Sequence, residues 1–223
     1  MQLKYKALAI VVLVTIITST ISGWSSYSTN TGVIDSAKQK ELRATATLIQ
    51  NNISDQESKA AARASMVVNL PSIQDAFRKG DRDELAKRLV PLFLVQRDKY
   101  GVREGQFHLA PATSFLRLYD LKAGHGEDLS SFREMVLATN RKGEPQNGVE
   151  IGRRGLSIRG VDVVRDAEGA IGSFEVGLSF TPVLESLKKN SGYDGAVFVD
   201  KVMMSDIATL VPKPDNERIV GSY

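Results

Sequence analysis

The chain has 223 residues, 42% of them hydrophobic and 25% charged, which is enough to bury one sizeable core and excludes a disordered or low-complexity protein. Its 29 Lys and Arg are interspersed with 26 Asp and Glu, and the resulting net charge of +3 gives no indication of nucleic-acid binding. The absence of cysteine excludes a disulfide framework, a thiolate metal site and a cysteine nucleophile.

An uncharged apolar segment near the N-terminus predicts a membrane anchor. Two lysines precede Ala7–Ser22, and the first acidic residue is Asp35. The pattern fits a signal anchor or a cleavable signal peptide, and Trp24 and Tyr27, placed like interfacial aromatic residues, favour the anchor. We therefore expect residues 1–29 to span the inner (cytoplasmic) membrane once, with the remaining chain on the periplasmic, extracytoplasmic side.

A long helix is predicted after the anchor. Ile34–Val68 contains no proline or glycine and is rich in helix-forming residues. Apolar residues recur at steps of three, four or seven: Leu42, Ala46, Ile49, Ile53, Ala60 and Val67. This stripe could bury against a sheet, against the same helix of a second copy, or partly against each, and we expect a homodimer through the helix. A helical hairpin, divided by Gly80-Asp81 and kinked or split at Pro91, completes the segment 30–104.

The segment 105–223 is predicted to form an antiparallel sheet with inserted helices, so the fold class is α+β. A helix is expected between Tyr119 and Gly143. Apolar residues then recur with a period of two around Val149 and Ile151, over Leu156–Val164 and over Ala170–Phe180, and Tyr193–Asp200 is expected to be a further strand.

Gln106–Tyr119 organises the predicted binding site. Pro111 separates two apolar runs, which predicts two strands. In the second run Phe115, Arg117 and Tyr119 share a face by alternation, so the guanidinium could present its planar fork to a carboxylate between aromatic walls. The alternative is a solvated arginine on an open sheet face.

Arg159 lies in a later strand beside Gly160, which could allow close approach by a ligand or another strand. Glu175 in the next strand could instead pair with one of the arginines, which would make the cluster structural. Arg153 and Arg154, between two glycines, are interpreted as a solvated turn. The predicted pocket for a small organic anion, a carboxylate, consists of His108, Phe115, Arg117, Tyr119 and Arg159.

Four sequence blocks in this order resemble a Cache sensor domain: FHLAPATSFLRLY, DLSSFR, GVEIGRRGLSIRGVDVV and IGSFEVGLSF. The resemblance covers roughly residues 35–220 and is to the double Cache (double sensory) domain of two-component kinases and methyl-accepting chemotaxis proteins. It implies a PAS-like antiparallel sheet packed with the long helix. Receptors of this kind continue through a second membrane helix into a cytoplasmic signalling region, so cytoplasmic signalling proteins are expected as partners only through a region absent from this chain.

Catalysis, a metal site and a cofactor are not expected. His108 and His125 are seventeen residues apart, with no Glu-x-x-His or His-x-x-x-His companion, and no nucleophile elbow, P-loop or dinucleotide fingerprint occurs. We expect the ligand-sensing domain of a transmembrane receptor, a chemoreceptor in the first place. The alternatives are the sensor region of a histidine kinase and a ligand-free, membrane-anchored structural or interaction domain.

Overall fold

The computed structural model describes residues 2–211, and the part of the predicted sheet segment beyond Val211 lies outside them. The described helices are α1 (Gln2–Val68), α2 (Pro71–Arg78), α3 (Arg82–Tyr100), α4 (Glu134–Lys142), α5 (Thr181–Ser191) and α6 (Lys201–Asp206). The described strands are β1 (Val102–Leu109), β2 (Thr113–Arg117), β3 (Gln146–Gly152), β4 (Gly155–Asp166) and β5 (Gly169–Leu178). The predicted α+β fold with a long N-terminal helix and an antiparallel sheet is confirmed. Compact packing divides the chain into two units between Leu48 and Ile49.

The N-terminal part of α1 is long and apolar enough to cross a membrane. Its most apolar 18-residue window has a mean hydropathy of 2.0, and none of that window is buried within the protein. These are properties of length and composition that a signal sequence shares.

The C-terminal part of α1 belongs to the core of the second unit. Ala60 and Ala64 are fully buried, and Ile49 and Ile53 pack against the same apolar cluster. Leu42, at the start of the predicted stripe, is 51% exposed. The stripe from Ile49 onwards therefore packs on the chain's own core.

The two helices after α1 are separated at the predicted Gly80-Asp81. Pro71 is the first residue of α2, and Asp81 caps α3 by accepting a hydrogen bond from the Glu84 N–H at 2.9 Å. The predicted split at Pro91 is wrong, because α3 runs through it. Burial of Leu89 and Phe93 on either side holds this helix despite the hydrogen bond that the proline removes.

The sheet is antiparallel throughout, with the strand order β2-β1-β5-β4-β3. The three strands predicted from the period of two are confirmed as β3, β4 and β5, and Gly169 begins β5 with φ 136°. The strand predicted for Tyr193–Asp200 is wrong: these residues form no ladder with any of the described strands, and Phe198 is 75% exposed. A short apolar run fits several structures, and this one has no strand partner.

The first helices cover one face of the sheet, which we call the apolar face. Its large buried side chains include Phe107, Leu116 and Phe174, and Phe77 of α2 stacks on Phe107 with ring centroids 5.4 Å apart. A Cβ atom on Gly160 would lie 2.2 Å from the Ala61 nitrogen, so α1 approaches β4 to backbone contact there. The close approach that Gly160 permits is therefore that of a helix.

A β-bulge changes the predicted alternation in β2. The register shifts so that Leu116 pairs with Phe107 and Ser114 with His108, which leaves Phe115 without a partner in the ladder. Phe115 consequently packs edge-on against Phe77, with ring centroids 5.2 Å apart, on the apolar face. The extra residue separates Phe115 from Arg117, which lies on the opposite face.

Candidate functional site

The opposite face of the sheet, which we call the polar face, is lined by hydrophilic side chains that are nevertheless buried. Alternate positions of four strands contribute Glu104, Gln106, His108, Ser114, Arg117, Ser157, Arg159, Ser173 and Glu175. The face is covered by α4 and by the segment before it. Val136 of α4 and Leu129 of that segment pack on Val161. Burial in the low-dielectric interior strengthens each ion pair here and also makes each unpaired polar atom costly.

Arg159 is fully buried and is paired with two glutamates. Its Nη1 donates to Glu104 Oε2 at 2.7 Å and to Glu175 Oε1 at 3.0 Å, and its Nε donates to the Glu150 carbonyl at 3.2 Å. Its Nη2 has no hydrogen-bond partner among the described residues. Arg159 therefore pairs with Glu175, which is the pairing expected if the arginines stabilise the fold and do not bind a ligand.

Arg133 joins the cluster from the start of α4, and our sequence analysis did not identify it. Its Nε donates to Glu150 Oε2 at 2.7 Å, and its Nη2 bonds Glu175 Oε2. Arg133 lies four residues after Leu129 and three before Val136, so in a helix all three share one side. That spacing could have identified Arg133 as a buried residue.

Each charge in this cluster is maintained by its neighbours. Burial by itself would raise the pKa of Glu175, but Arg133 and Arg159 lower that pKa to about 2. Burial would likewise lower the pKa of Arg133, and Glu175 and Glu150 more than reverse that effect. Both groups are therefore charged at neutral pH.

His108 is fully buried beside this cluster. Its Nδ1 lies 3.4 Å from Ser173 Oγ, and its Nε2 has no partner among the described residues. Burial lowers the pKa of His108 to about 3, against a smaller opposing effect of Glu175. His108 is therefore neutral near pH 7.

Tyr119 also faces the polar side. Its hydroxyl donates to Gln106 Oε1 at 3.2 Å, and Gln106 Nε2 donates to Ser114 Oγ at 2.8 Å. The Arg154 guanidinium lies 5.0 Å from the Tyr119 ring centroid. Burial raises the pKa of Tyr119, so its hydroxyl stays protonated and able to donate.

Arg117 has a different kind of partner. Its Nη2 donates to Glu127 Oε2, and Glu127 Oε1 accepts from Arg153 Nε at 2.6 Å. The Arg117 side chain is 4% exposed and its Nε has no partner among the described residues, whereas the Glu127 side chain is 29% exposed. The prediction that Arg153 is solvated is wrong, because its side chain is 22% exposed and stacks 4.4 Å from the Phe132 ring centroid.

Ion pairs link most of the charged side chains of the polar face. Its ion pairs join four arginines, Arg117, Arg133, Arg153 and Arg159, to four glutamates, Glu104, Glu127, Glu150 and Glu175. An anionic ligand of one of these four arginines would therefore have to compete with its carboxylate partner. Glu127 is the most exposed of the four, since the others are at most 10% exposed.

Four of the five predicted pocket residues thus lie on the polar face: His108, Arg117, Tyr119 and Arg159. Phe115 lies on the other face, for the reason given above. A cavity of about 240 Å³ also opens on that other face, between α1, α3 and the sheet, and side chains including Met66, Leu89, Leu92, Phe93 and Val176 line it.

Solved structures with a similar fold are sensor domains. The sensor domain of the Vibrio cholerae histidine kinase DctB aligns with a TM-score of 0.55 and 10% identity, over 68% of this chain and 60% of that one. The sensory domain of the Campylobacter jejuni chemoreceptor Tlp3, with isoleucine bound, aligns with a TM-score of 0.46 and 15% identity, over 67% and 61%. The Escherichia coli DcuS sensor domain aligns with a TM-score of 0.44 and 17% identity, over 61% and 97%.

The chain thus spans about 60% of the DctB sensor domain, and the likeness is one of fold. A search of curated proteins found no match. A model of the family described as the double sensory domain of two-component sensor kinases matches residues 35–209, which include α2, α3 and the whole sheet. The Cache-type resemblance predicted from the four sequence blocks is confirmed, and the chain belongs to this family of double sensory domains.

Proposed function

We propose that this chain is the extracytoplasmic ligand-sensing domain of a transmembrane signal-transduction receptor. The family match over residues 35–209 carries the proposal, and the apolar N-terminal part of α1 supports it. Residues 1–29 would anchor the chain in the inner membrane, 30–104 would form the helical arm, and 105–223 would form the ligand-binding part. The proposed role is binding, without catalysis.

The proposed ligand is a small carboxylate bound on the polar face. Arg117 supports this, because it is a buried guanidinium whose Nε has no partner in the described part of the chain and whose acidic partner is partly exposed. Ligand binding would shift the population between two arrangements of the domain, and α1 would carry the difference to the membrane. For the output, we keep the chemoreceptor expected from the sequence as the first proposal and the histidine kinase, which the family description names, as its alternative.

Binding to the purified full chain in detergent tests this proposal. We expect acetate, succinate or L-isoleucine to raise the thermal unfolding midpoint, and Arg117→Lys to abolish the effect because lysine lacks the planar fork. Arg97→Lys is the matched control, since Arg97 is half-exposed on α3. A wild-type chain that responds to none of these compounds would contradict the proposal.

The second candidate is a ligand-free, membrane-anchored interaction domain. The balance of four arginines and four glutamates favours it, because such a network can brace the sheet by itself. It predicts that Arg117→Lys lowers the unfolding midpoint equally with and without carboxylates.

We also propose that two copies pair through the N-terminal part of α1. Leu42 supports this, because it is an apolar helix residue that is 51% exposed. In the cysteine-free chain, Leu42→Cys should form an intermolecular disulfide under mild oxidation, whereas Lys189→Cys on α5 should not. Equal cross-linking of both variants would contradict the pairing.

A further inference from the structure

We propose that Glu127 is a built-in carboxylate that occupies an anion site between Arg117 and Arg153 until an external carboxylate displaces it. This inference rests on the proposed sensory function and deepens it, because it names the subsite and the group that competes for it. It also assigns a binding role to Arg153.

The bonding of Arg117 is incomplete in a way that favours an external ligand. Glu127 accepts a hydrogen bond from Nη2 of the Arg117 guanidinium. The Nε atom lies on the same edge of the guanidinium and is buried without a partner among the described residues. A free carboxylate, unconstrained by a backbone, could accept from Nε and Nη2 together in the bidentate geometry that makes arginine–carboxylate pairs strong.

Arg153 supplies the second cation of the site. Its Nε donates to the other Glu127 oxygen at 2.6 Å, so one carboxylate bridges two guanidinium groups. Phe132 stacks on the Arg153 guanidinium. The Nη1 atom of Arg153 also donates to the Ile207 carbonyl at 3.2 Å. These contacts would hold Arg153 in place after the Glu127 carboxylate leaves.

Glu127 can leave by a side-chain rotation alone. Its carbonyl accepts from Ser114 N–H at 2.9 Å, and the Gly126 N–H donates to the Ser114 carbonyl at 2.8 Å, so the backbone is fixed to β2. Its side chain is 29% exposed, which gives the carboxylate a route to water that the buried Glu104 and Glu175 do not have.

The loop before Glu127 closes tightly over the same site. A Cβ atom on Gly124, which has φ +77°, would lie 2.1 Å from the Arg117 guanidinium carbon. The loop backbone therefore lies directly on Arg117, and a ligand on that guanidinium would contact the loop.

An internal competitor lowers the apparent affinity of a ligand by the fraction of molecules in which the site is open. Removing the competing charge should therefore raise affinity, which is the opposite of what loss of a merely structural ion pair would do. In Glu127→Gln we expect acetate and succinate to bind at least about tenfold more tightly than in the wild type.

The test is calorimetric titration of the full chain in detergent with sodium acetate and sodium succinate, against sodium chloride at equal ionic strength. Glu134→Gln, which removes an exposed carboxylate at the start of α4, should bind like the wild type. Adding Arg117→Lys to Glu127→Gln should remove the gain. Glu127→Ala is the second variant, and acetate should raise its unfolding midpoint more than chloride does.

The outcomes separate this inference from the proposed function. If the wild type binds carboxylates through Arg117 but Glu127→Gln binds no more tightly, the inference is overturned and the sensory function stands. If neither protein binds a carboxylate and acetate does not stabilise Glu127→Ala, both are overturned.

Discussion

Glu175 is the residue on which the buried charges of the sheet converge. It is 0% exposed and pairs with both Arg133, the N-cap residue of α4, and Arg159 of β4. Replacing a buried ion pair as a whole is often tolerated, but removing one partner leaves a desolvated charge without compensation. At the scale of residues, the polar face depends on complete pairs.

Glu175→Gln should therefore destabilise the protein by about 3–5 kcal/mol, because two buried guanidinium groups lose their shared counter-charge. Urea unfolding of the full chain, followed by circular dichroism, measures this. Glu168→Gln, in the exposed turn between β4 and β5, should change the free energy of unfolding by less than about 0.5 kcal/mol. A Glu175→Gln variant as stable as the wild type would show that the cluster does not stabilise the fold.

His108 should make stability depend on pH. Its pKa in the folded protein is about 3 and its ordinary value is 6.5, so the unfolded chain binds the proton first and stability falls as pH drops below 6.5. Between pH 7 and pH 5 the loss should be about 2 kcal/mol. Glu175 adds its own loss only below its ordinary pKa of 4.5, outside this range.

Urea unfolding at pH 7, 6 and 5 measures this dependence. His108→Gln should remove most of it, whereas His125→Gln, at an exposed position, should retain it. Identical pH profiles for wild type and His108→Gln would contradict the assignment.

At the scale of elements, the position of α1 on the sheet depends on small residues. Ala60 and Ala64 are fully buried where the helix crosses β4, and Gly160 faces them. Because the backbones touch, no side chain fits between them.

Gly160→Ala should accordingly cost about 1–3 kcal/mol, since the added methyl group would force α1 away from the strand. Gly148→Ala in β3 is the matched control: its nearest contact would be 3.8 Å, from Met135 Sδ, an ordinary distance. Denaturant unfolding should show no loss for the control. If both substitutions lowered the free energy of unfolding equally, the loss would come from replacing a glycine in a strand and not from the contact with α1.

At the scale of the whole molecule, the proposed topology puts the sheet on the extracytoplasmic side of the membrane. The chain has no cysteine, so single cysteines can report it. We expect Lys189→Cys, exposed on α5, to react with a membrane-impermeant maleimide in intact cells, and Lys4→Cys to react only after permeabilisation. Reaction at position 4 in intact cells would reverse the proposed topology, and loss of residue 4 from the mature protein would identify a cleaved signal peptide.

The sequence by itself determined most of the elements, and the family. Periodicity predicted the long helix and the strands β3 to β5, because an amphipathic pattern is local to each element. Gly143 marked the end of α4 for an equally local reason, because a glycine readily takes the left-handed conformation that ends a helix. Order and motif together indicated a Cache-type sensor.

Only the tertiary structure decided what each arginine pairs with. Arg117 and Arg159 could be recognised as unusual strand residues, but their partners Glu127 and Glu104 lie 10 and 55 residues away along the chain. A bulge in β2, which strict alternation does not anticipate, moved Phe115 to the other face. The physical reason is that hydrophobic periodicity reports which side of an element is buried, whereas ion pairing depends on distances that exist only after the strands, α4 and the Glu127 loop have packed together.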